Sequence, residues 1–394
     1  MDGRESRYRA WASARESAGL LRVLQSAEHD APGRVSFGGA SYVNFSGNDY
    51  LGLSRHPALI ERARAWAGRH GAGAGASRLV TGNLDLFEGI EARVAKLKDK
   101  PAALVMASGF QANASVLQAL FDKQVLEAEP LVFADRLNHA SMHFGCQAAG
   151  VRQHRYRHRD VEHLSALLAK HGRGRAPKFI LTESVFSMDG DIAPMADIAA
   201  LAEEHQALLI CDDAHATGIL GAGGKGLSGA ADIVIGTFSK AMGSYGAYIA
   251  CSETMRDYLV NRCSGLIYST ALPPPVLGAI DASLELVPGL DAERAHVSAL
   301  ANRFREGARR LGYDTGASAT QIVPLIVGGA DDALALSAQL KDAGYWAGAI
   351  RPPTVPQGSA RLRLTFCAAH TPAQIDALLE ELSGSRGAKR ASGA

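Results

Sequence analysis

The sequence predicts an α/β protein: a mostly parallel sheet in a large domain, followed by a smaller C-terminal α+β domain. Three observations carry this expectation. Six short, continuously apolar runs follow one another at 103–106, 131–134, 179–182, 208–211, 233–235 and 247–250, and strands buried on both faces look like this, without alternation. Helical patterns lie between several of them, and strands alternating with helices build parallel sheets covered on both faces. After Pro273-Pro274-Pro275 the texture changes to a helix-rich stretch, 276–311, and then to a unit with strands of its own at 322–327 and 361–366.

In chain order, an N-terminal arm (1–48) is expected to open with an amphipathic helix over 5–28, with Tyr8, Trp11, Leu20, Leu21 and Leu24 on its apolar side. The large domain spans 49–285. Its clearest helix is 84–98, where Phe87, Ile90, Val94 and Leu97 fall at spacings of three and four. Further helices, 110–121 and 194–205, sit between strands. The small domain spans 286–382, and residues 383–394, rich in Gly, Ser, Ala and basic side chains, read as a disordered tail.

Composition narrows the function. The 394 residues hold 41 Lys plus Arg against 40 Asp plus Glu, so the basic excess typical of nucleic-acid or membrane-surface binders is missing. Five cysteines, Cys146, Cys211, Cys251, Cys263 and Cys367, form no C-x-x-C pair, and an odd count argues against a disulfide framework. The first residues lack the apolar core of a secretory signal, and no apolar run nears the ~20 residues that span a bilayer. A soluble, cytoplasmic protein is expected.

Ligands of open α/β sheets gather at the carboxyl ends of the strands. Four successive apolar runs are followed there by chemistry-bearing residues: Asn138-His139 after 131–134, Glu183-Ser184 after 179–182, Asp212-Asp213-Ala214-His215 after 208–211, and Thr237-Phe238-Ser239-Lys240 after 233–235. A lysine removed from water tends to lose its proton and becomes a Schiff-base nucleophile. A carboxylate that keeps a pyridine nitrogen protonated makes that ring an electron sink. Lys240 with Asp212 is therefore the pair expected for pyridoxal phosphate. His139 can cover a ring face, and Gly109 and Phe110, opening a helix after Ser108, can offer backbone N–H groups to a phosphate. Arg361 and Arg363, two apart on a predicted strand, point to the same face, and arginine suits bidentate carboxylate recognition.

Competing signals fail. Gly71-Ala72-Gly73-Ala74-Gly75-Ala76 matches a loose dinucleotide fingerprint but follows a basic helical stretch rather than a strand. Gly223-Gly224-Lys225-Gly226 lacks the Ser or Thr of a phosphate loop. His139…His143 and His154…His158 have the spacing of helix-borne ligands without H-E-x-x-H, so no metal site is expected.

Taken together, the block Asn48-Asp49-Tyr50-Leu51-Gly52, residues 71–82, Ser108-Gly109-Phe110, Asn138-His139-Ala140-Ser141, 183–190, 212–218, 237–240 and 361–371 resemble the α-oxoamine synthases, a branch of the fold-type I pyridoxal phosphate-dependent transferases, over nearly the whole chain. The resemblance implies a decarboxylative condensation of an amino acid with an acyl thioester. Residues 75–83 and 349–356 point within the family to the branch that uses L-alanine and a pimeloyl thioester in biotin biosynthesis. A sister synthase with another amino acid or acyl-CoA is the alternative. By resemblance, Lys240 carries the cofactor, Asp212 pairs with its ring nitrogen, His215 with its ring oxygen, and His139 stacks on it. Ser108, Gly109, Phe110, Thr237, Ser187 and Glu183 complete the cofactor pocket, with Glu183 also close to the substrate. Ser269 and Thr270 reach the phosphate of the neighbouring subunit, which implies a homodimer with a shared site. Arg363 with Asn48 binds the amino-acid carboxylate, and Arg22 and Thr354 are further substrate-binding residues. Tyr245 is bulkier than the small-residue run expected after the lysine. It would fill part of the acyl entrance or pack a subunit interface.

Overall fold

All six apolar runs are strands of one seven-stranded sheet in the computed structural model, which describes residues 2–18, 20–29 and 31–392. A short hairpin precedes it, β1 (Arg34–Phe37) and β2 (Ala40–Asn44). The sheet contains β3 (Ala102–Met106), β4 (Leu131–Asp135), β5 (Gln153–Tyr156), β6 (Lys178–Glu183), β7 (Ala207–Asp212), β8 (Ile233–Thr237) and β9 (Ala247–Cys251), in the spatial order β3-β9-β8-β7-β6-β4-β5. From β8 to β5 every pairing is parallel, and β9 alone runs against both neighbours. This is the architecture expected from the sequence. β5 lies outside the apolar signal because it is an edge strand in which only Tyr156 is buried.

Side chains alternate across a strand, and each face of the sheet has its own apolar cluster. Phe133, Ile180 and Leu209 enter one cluster, while Val132, Ala134, Phe179, Leu181 and Ile210 enter the other. That double burial explains why the strands read as unbroken apolar runs. Helices Leu86–Leu97, Gly109–Leu120 and Met195–Glu204 cover the sheet close to where their periodicity placed them. Helix Pro274–Leu286 lies along Pro57–His70 at close range. A Cβ at Gly278 would come within 2.7 Å of the Arg62 carbonyl, so the approach requires glycine there.

The C-terminal part of the chain carries β10 (Ile322–Gly328), β11 (Tyr345–Trp346), β12 (Ala349–Ile350) and β13 (Ala360–Thr365), with β13 between β10 and β12 and antiparallel to both. β11 instead pairs in parallel with β2, which ties the N-terminal hairpin to the C-terminal part of the chain. Helix Asp291–Arg310 and the terminal helix Pro372–Ser392 pack against each other. The latter extends into the stretch read as a disordered tail, whose last two residues lie outside those described.

The N-terminal helix differs from expectation: it spans Asp2–Ser17, not 5–28, and closes with the amides of Ala18 and Leu20 bonded to Ala14 and Arg15. Tyr8, Trp11, Leu21 and Leu24 are exposed. Only Leu20 of the stripe is half-buried, beside Ala349 and Ile350, so among the described residues little packing offsets the cost of extending the helix through 20–28. Among the described residues no helix is long and apolar enough to cross a membrane.

Candidate active site

Because β4, β6, β7 and β8 are parallel neighbours, their carboxyl ends share one edge of the sheet. Register sets Glu183 beside Asp212 at the ends of β6 and β7. Asp212 is buried, and its carboxylate accepts from Asn113 Nδ2 at 2.6 Å and from the Ala214 amide at 2.9 Å. The same Asn113 Nδ2 bonds Ser141 Oγ, which lies 2.7 Å from His139 Nδ1. One amide thus connects the acidic strand end to the expected stacking histidine. Burial and the neighbouring Asp212 charge push the Glu183 carboxyl well above its ordinary range.

Lys240 follows β8, with Nζ 2.8 Å from His215 Nε2. Burial lowers its amine to about 8, against the pull of Asp212 and Glu183. His215 is buried as well, and burial together with the Lys240 cation holds its imidazole well below the ordinary range, so the ring is neutral. Behind it, the Tyr50 hydroxyl lies 2.7 Å from His215 Nδ1. The second aspartate of the pair faces away: Asp213 bonds Lys98 Nζ at 2.6 Å, Ser184 Oγ and the Leu227 amide. Burial opposes the Lys98 charge, but Asp213 raises its pKa overall. This buried pair anchors the turn that carries Asp212 and His215.

The two arginines of β13 point the same way, as their spacing implies, and both are buried rather than solvated. They are not equivalent. Arg361 pairs with the carboxylate of Asp189 and with the Met188 carbonyl. Arg363 donates only to neutral oxygens: the Ser187 carbonyl, Asn48 Oδ1 at 3.1 Å and the Tyr50 hydroxyl at 3.4 Å. Among the described residues no carboxylate pairs with Arg363, so its charge is available to a ligand. Gly190 closes the loop bearing these carbonyls at a φ of 66°, and a Cβ there would overlap the Ile322 carbonyl of β10.

The donor set fits pyridoxal phosphate. An amine and a carboxylate face each other across the strand ends, with His139 beside them. For the phosphate, the first intrahelical bond of Gly109–Leu120 runs from Ala112 N to Ser108 O, and Ser108 Oγ takes the Gln111 amide. The Gly109 and Phe110 amides ahead of them are left for an anion. Thr237 lies directly against Gly109, and its Oγ1 is 2.7 Å from Ser239 Oγ.

Other expected residues lie elsewhere. Ser269 bonds Gln111 Nε2, and Thr270 forms a bridge with Ser77. Both sit on a surface where Tyr268, Phe110, Phe144, Leu79 and Val80 are exposed. Tyr245 is half-exposed. Arg22 and Thr354, 332 positions apart, meet at 3.3 Å beside a cavity of about 320 Å³ also lined by Arg15 and Arg351. Ile350 of its wall is register partner to Arg361, so the cavity adjoins the strand carrying both buried arginines. Asn113 and Tyr50 are site residues that sequence reasoning missed. Tyr50 stands inside a matched block, which was its only signal.

Residues 40–382 match the family described as aminotransferase class I and II. An 8-amino-7-oxononanoate synthase of Gluconacetobacter diazotrophicus is 56% identical over 368 residues, 92% of each chain. Among solved structures, a serine palmitoyltransferase holding pyridoxal phosphate superposes at a TM-score of 0.89 with 26% identity over 98% of each chain. The 8-amino-7-oxononanoate synthase of Francisella tularensis superposes at 0.76 with 27% identity, over 89% of this chain and 99% of that one.

Proposed function

Because the chain belongs to the class I and II aminotransferase family, in its α-oxoamine synthase branch, and is a pyridoxal phosphate-dependent acyltransferase, we propose that it condenses L-alanine with a pimeloyl thioester. The products are 8-amino-7-oxononanoate, CO₂ and the free thiol of CoA or a carrier protein, a step of biotin biosynthesis. The similarity to relatives of that name supports the substrates.

Lys240 would hold the cofactor through Nζ, Asp212 would face its ring nitrogen, His215 its ring oxygen and His139 its ring face. Ser108, Gly109, Phe110 and Thr237 would hold the phosphate, with Ser187 and Glu183 lining the pocket. When bound, the cofactor supplies an aldehyde that condenses with amines and a ring that accepts the electron pair of an adjacent carbon. Arg363 and Asn48 orient the alanine carboxylate. The freed Lys240 Nζ takes the Cα proton, and the resulting ammonium later returns one. A group poised at about 8 can do both near neutral pH. Arg22 and Thr354, with Arg15 and Arg351 lining the cavity beside them, would receive the acyl substrate.

The observation that carries the reading is the lysine amine, 2.8 Å from a neutral histidine, together with a buried arginine that no carboxylate among the described residues neutralises. The test is free-thiol release from pimeloyl-CoA with alanine, glycine or serine as co-substrate. Alanine-dependent release with a product of the expected mass supports the proposal. Release only with serine and a long-chain acyl-CoA would establish a sister activity, the second reading, favoured by the full-length superposition on serine palmitoyltransferase. We also assign a homodimer: the apolar surface around Tyr268, Phe110 and Phe144 is suited to a second copy, and Ser269 and Thr270 would reach across it to the partner's phosphate.

A further inference from the structure

The loop after β6 carries groups that hold both buried arginines, and its own anchor lies outside the site. Val185 bridges Ile192, the Phe186 amide donates to the Asp191 carbonyl at 3.1 Å, and the Gly190 amide donates to the Phe186 carbonyl at 2.8 Å. Residues 186–191 thus form one closed turn. From it the Ser187 carbonyl accepts from Arg363 Nε, while the Met188 carbonyl and the Asp189 carboxylate accept from Arg361. The base of the turn is gripped through Asp191. Its Oδ2 accepts from His158 Nε2 at 2.9 Å and from Arg159 Nη1 at 3.0 Å, and its Oδ1 is buried with no partner among the described residues.

His158 follows the edge strand β5, and its Nδ1 lies 3.1 Å from Asp135 Oδ1 at the end of β4. Asp135 in turn accepts the Leu137 amide at 2.9 Å and the Arg159 amide at 2.8 Å, so the backbone fixes its position. Carboxylates accept and do not donate, so an imidazole between two of them donates from both nitrogens and is an imidazolium. No choice of tautomer enters. The Phe186 ring stands edge-on to it, with centroids 4.4 Å apart. Burial opposes the charge, and the bonds to Asp135 and Asp191 raise the pKa overall. The cation therefore joins a backbone-anchored point on β4 to the base of the turn that meets Arg363.

We propose that His158 is a positioning residue for amino-acid recognition: by holding Asp191 through Nε2 it fixes the turn whose Ser187 carbonyl orients the Arg363 guanidinium. The proposal rests on the role given above to Arg363. That guanidinium is held by neutral oxygens, and a forked pair with a carboxylate depends on the plane in which it lies. The Gly190 carbonyl is tied separately, to the Ala319 amide at 3.0 Å and Thr320 Oγ1 at 2.9 Å. Loss of the His158 bond therefore loosens the turn without releasing it. Among the described residues His158 bonds Asp135 and Asp191 rather than Lys240, Asp212 or His215, so the effect falls on affinity and not on proton transfer at Nζ.

The test separates the two nitrogens. The side-chain nitrogen of asparagine stands near the place of Nδ1 and that of glutamine near Nε2. His158→Gln thus keeps a donor for Asp191, and His158→Asn keeps only the one for Asp135. Initial rates of thiol release are read near neutral pH in holoenzymes with and without Arg363→Ala. The amino acid and acyl-CoA are those the wild type accepts, so a different substrate leaves the comparison intact. We expect His158→Asn to raise the amino-acid KM about 5- to 20-fold, the loss of roughly one charge-assisted bond. Its kcat and acyl-CoA KM should stay within about twofold of wild type, and His158→Gln within about threefold in every parameter. Added to Arg363→Ala, His158→Asn should lower kcat/KM no further. Losses that multiply in that background overturn the proposal, as do equal losses in the Asn and Gln variants or a fall confined to kcat. An Arg363→Ala enzyme with the amino-acid KM of wild type would sink the carboxylate assignment itself, before any His158 variant is made, and the proposal with it. A second measurement needs no folded His158→Asn: nitrogen NMR of wild-type holoenzyme near neutral pH, with the His158 signals identified by their loss in His158→Gln. Protons on both ring nitrogens are expected, and a single N–H overturns the proposal.

Discussion

Replacing Arg363 by alanine should raise the KM for L-alanine by about two to three orders of magnitude. Arg363 is 7% exposed, and its partners, the Ser187 carbonyl, Asn48 and Tyr50, are neutral, so an arriving carboxylate would be its first ionic partner. A hydrogen bond to a charged group contributes about 1.5–3 kcal/mol, and a forked arginine–carboxylate pair makes two. Taking about 3–4 kcal/mol for the fork, at roughly 1.4 kcal/mol per factor of ten, gives that range. Arg363→Lys keeps the charge without the fork and should fall between the two. Arg361 is already committed to Asp189, so Arg361→Ala should move KM less than about fivefold. The assay is initial-rate thiol release against alanine concentration, with melting temperature as a control for folding. An Arg363→Ala enzyme whose KM stays within about threefold at unchanged melting temperature would refute the argument from pairing, most clearly if Arg361→Ala raised KM instead.

Lys240→Ala should still bind the cofactor weakly but release no thiol, and sustained turnover by that variant would contradict the assignment. His158 bridges Asp135 at 3.1 Å and Asp191 at 2.9 Å through its two ring nitrogens; burial opposes its charge, yet the two aspartates hold it up at about 9. A pKa raised above the ordinary ~6.5 contributes stability that is complete below about that pH and is lost as pH rises through about 9. Melting temperature should therefore fall between about pH 6.5 and 9, and a His158→Ala curve as steep as wild type would refute the clasp. Lys98→Met strands the buried Asp213 carboxylate and should cost about 3–5 kcal/mol in urea unfolding; a loss below about 1 kcal/mol would show the pair to be dispensable. Tyr268→Asp places a charge on an 85% exposed aromatic and should shift the proposed dimer toward monomer in sedimentation, whereas an unchanged oligomeric state would refute an interface at this surface.

The central sheet was legible because strands buried on both faces leave continuous apolar runs, and the site because parallel neighbours bring their carboxyl ends to one edge. That single rule puts Glu183, Asp212, Thr237 and Lys240 together before any contact is known. Edge strand β5 escapes the same logic, since an edge need not be apolar. The arm was over-read as a helix because periodicity reports amphipathicity and not whether a partner surface exists. Asn113 is a polar residue in a helix interior, and only the docking of that helix shows its amide reaching Asp212. The spacing of Arg361 and Arg363 reveals a common face, but their different tasks depend on where the loop sets Asp189.

The pairing of β2 with β11 also bears on biosynthesis. Asn48 and Tyr50 follow β2 closely, and β2 has β11 as its parallel neighbour; Ser46, just beyond it, bonds a Trp346 carbonyl 300 positions later in the chain. During translation the edge that bears Asp212 and Lys240 emerges well before β11 does. A chain stalled or truncated ahead of β11 would have the lysine and the acidic strand ends but no scaffold for Asn48 and Tyr50, and no Arg363. Such a fragment could meet the cofactor before it could hold an amino acid.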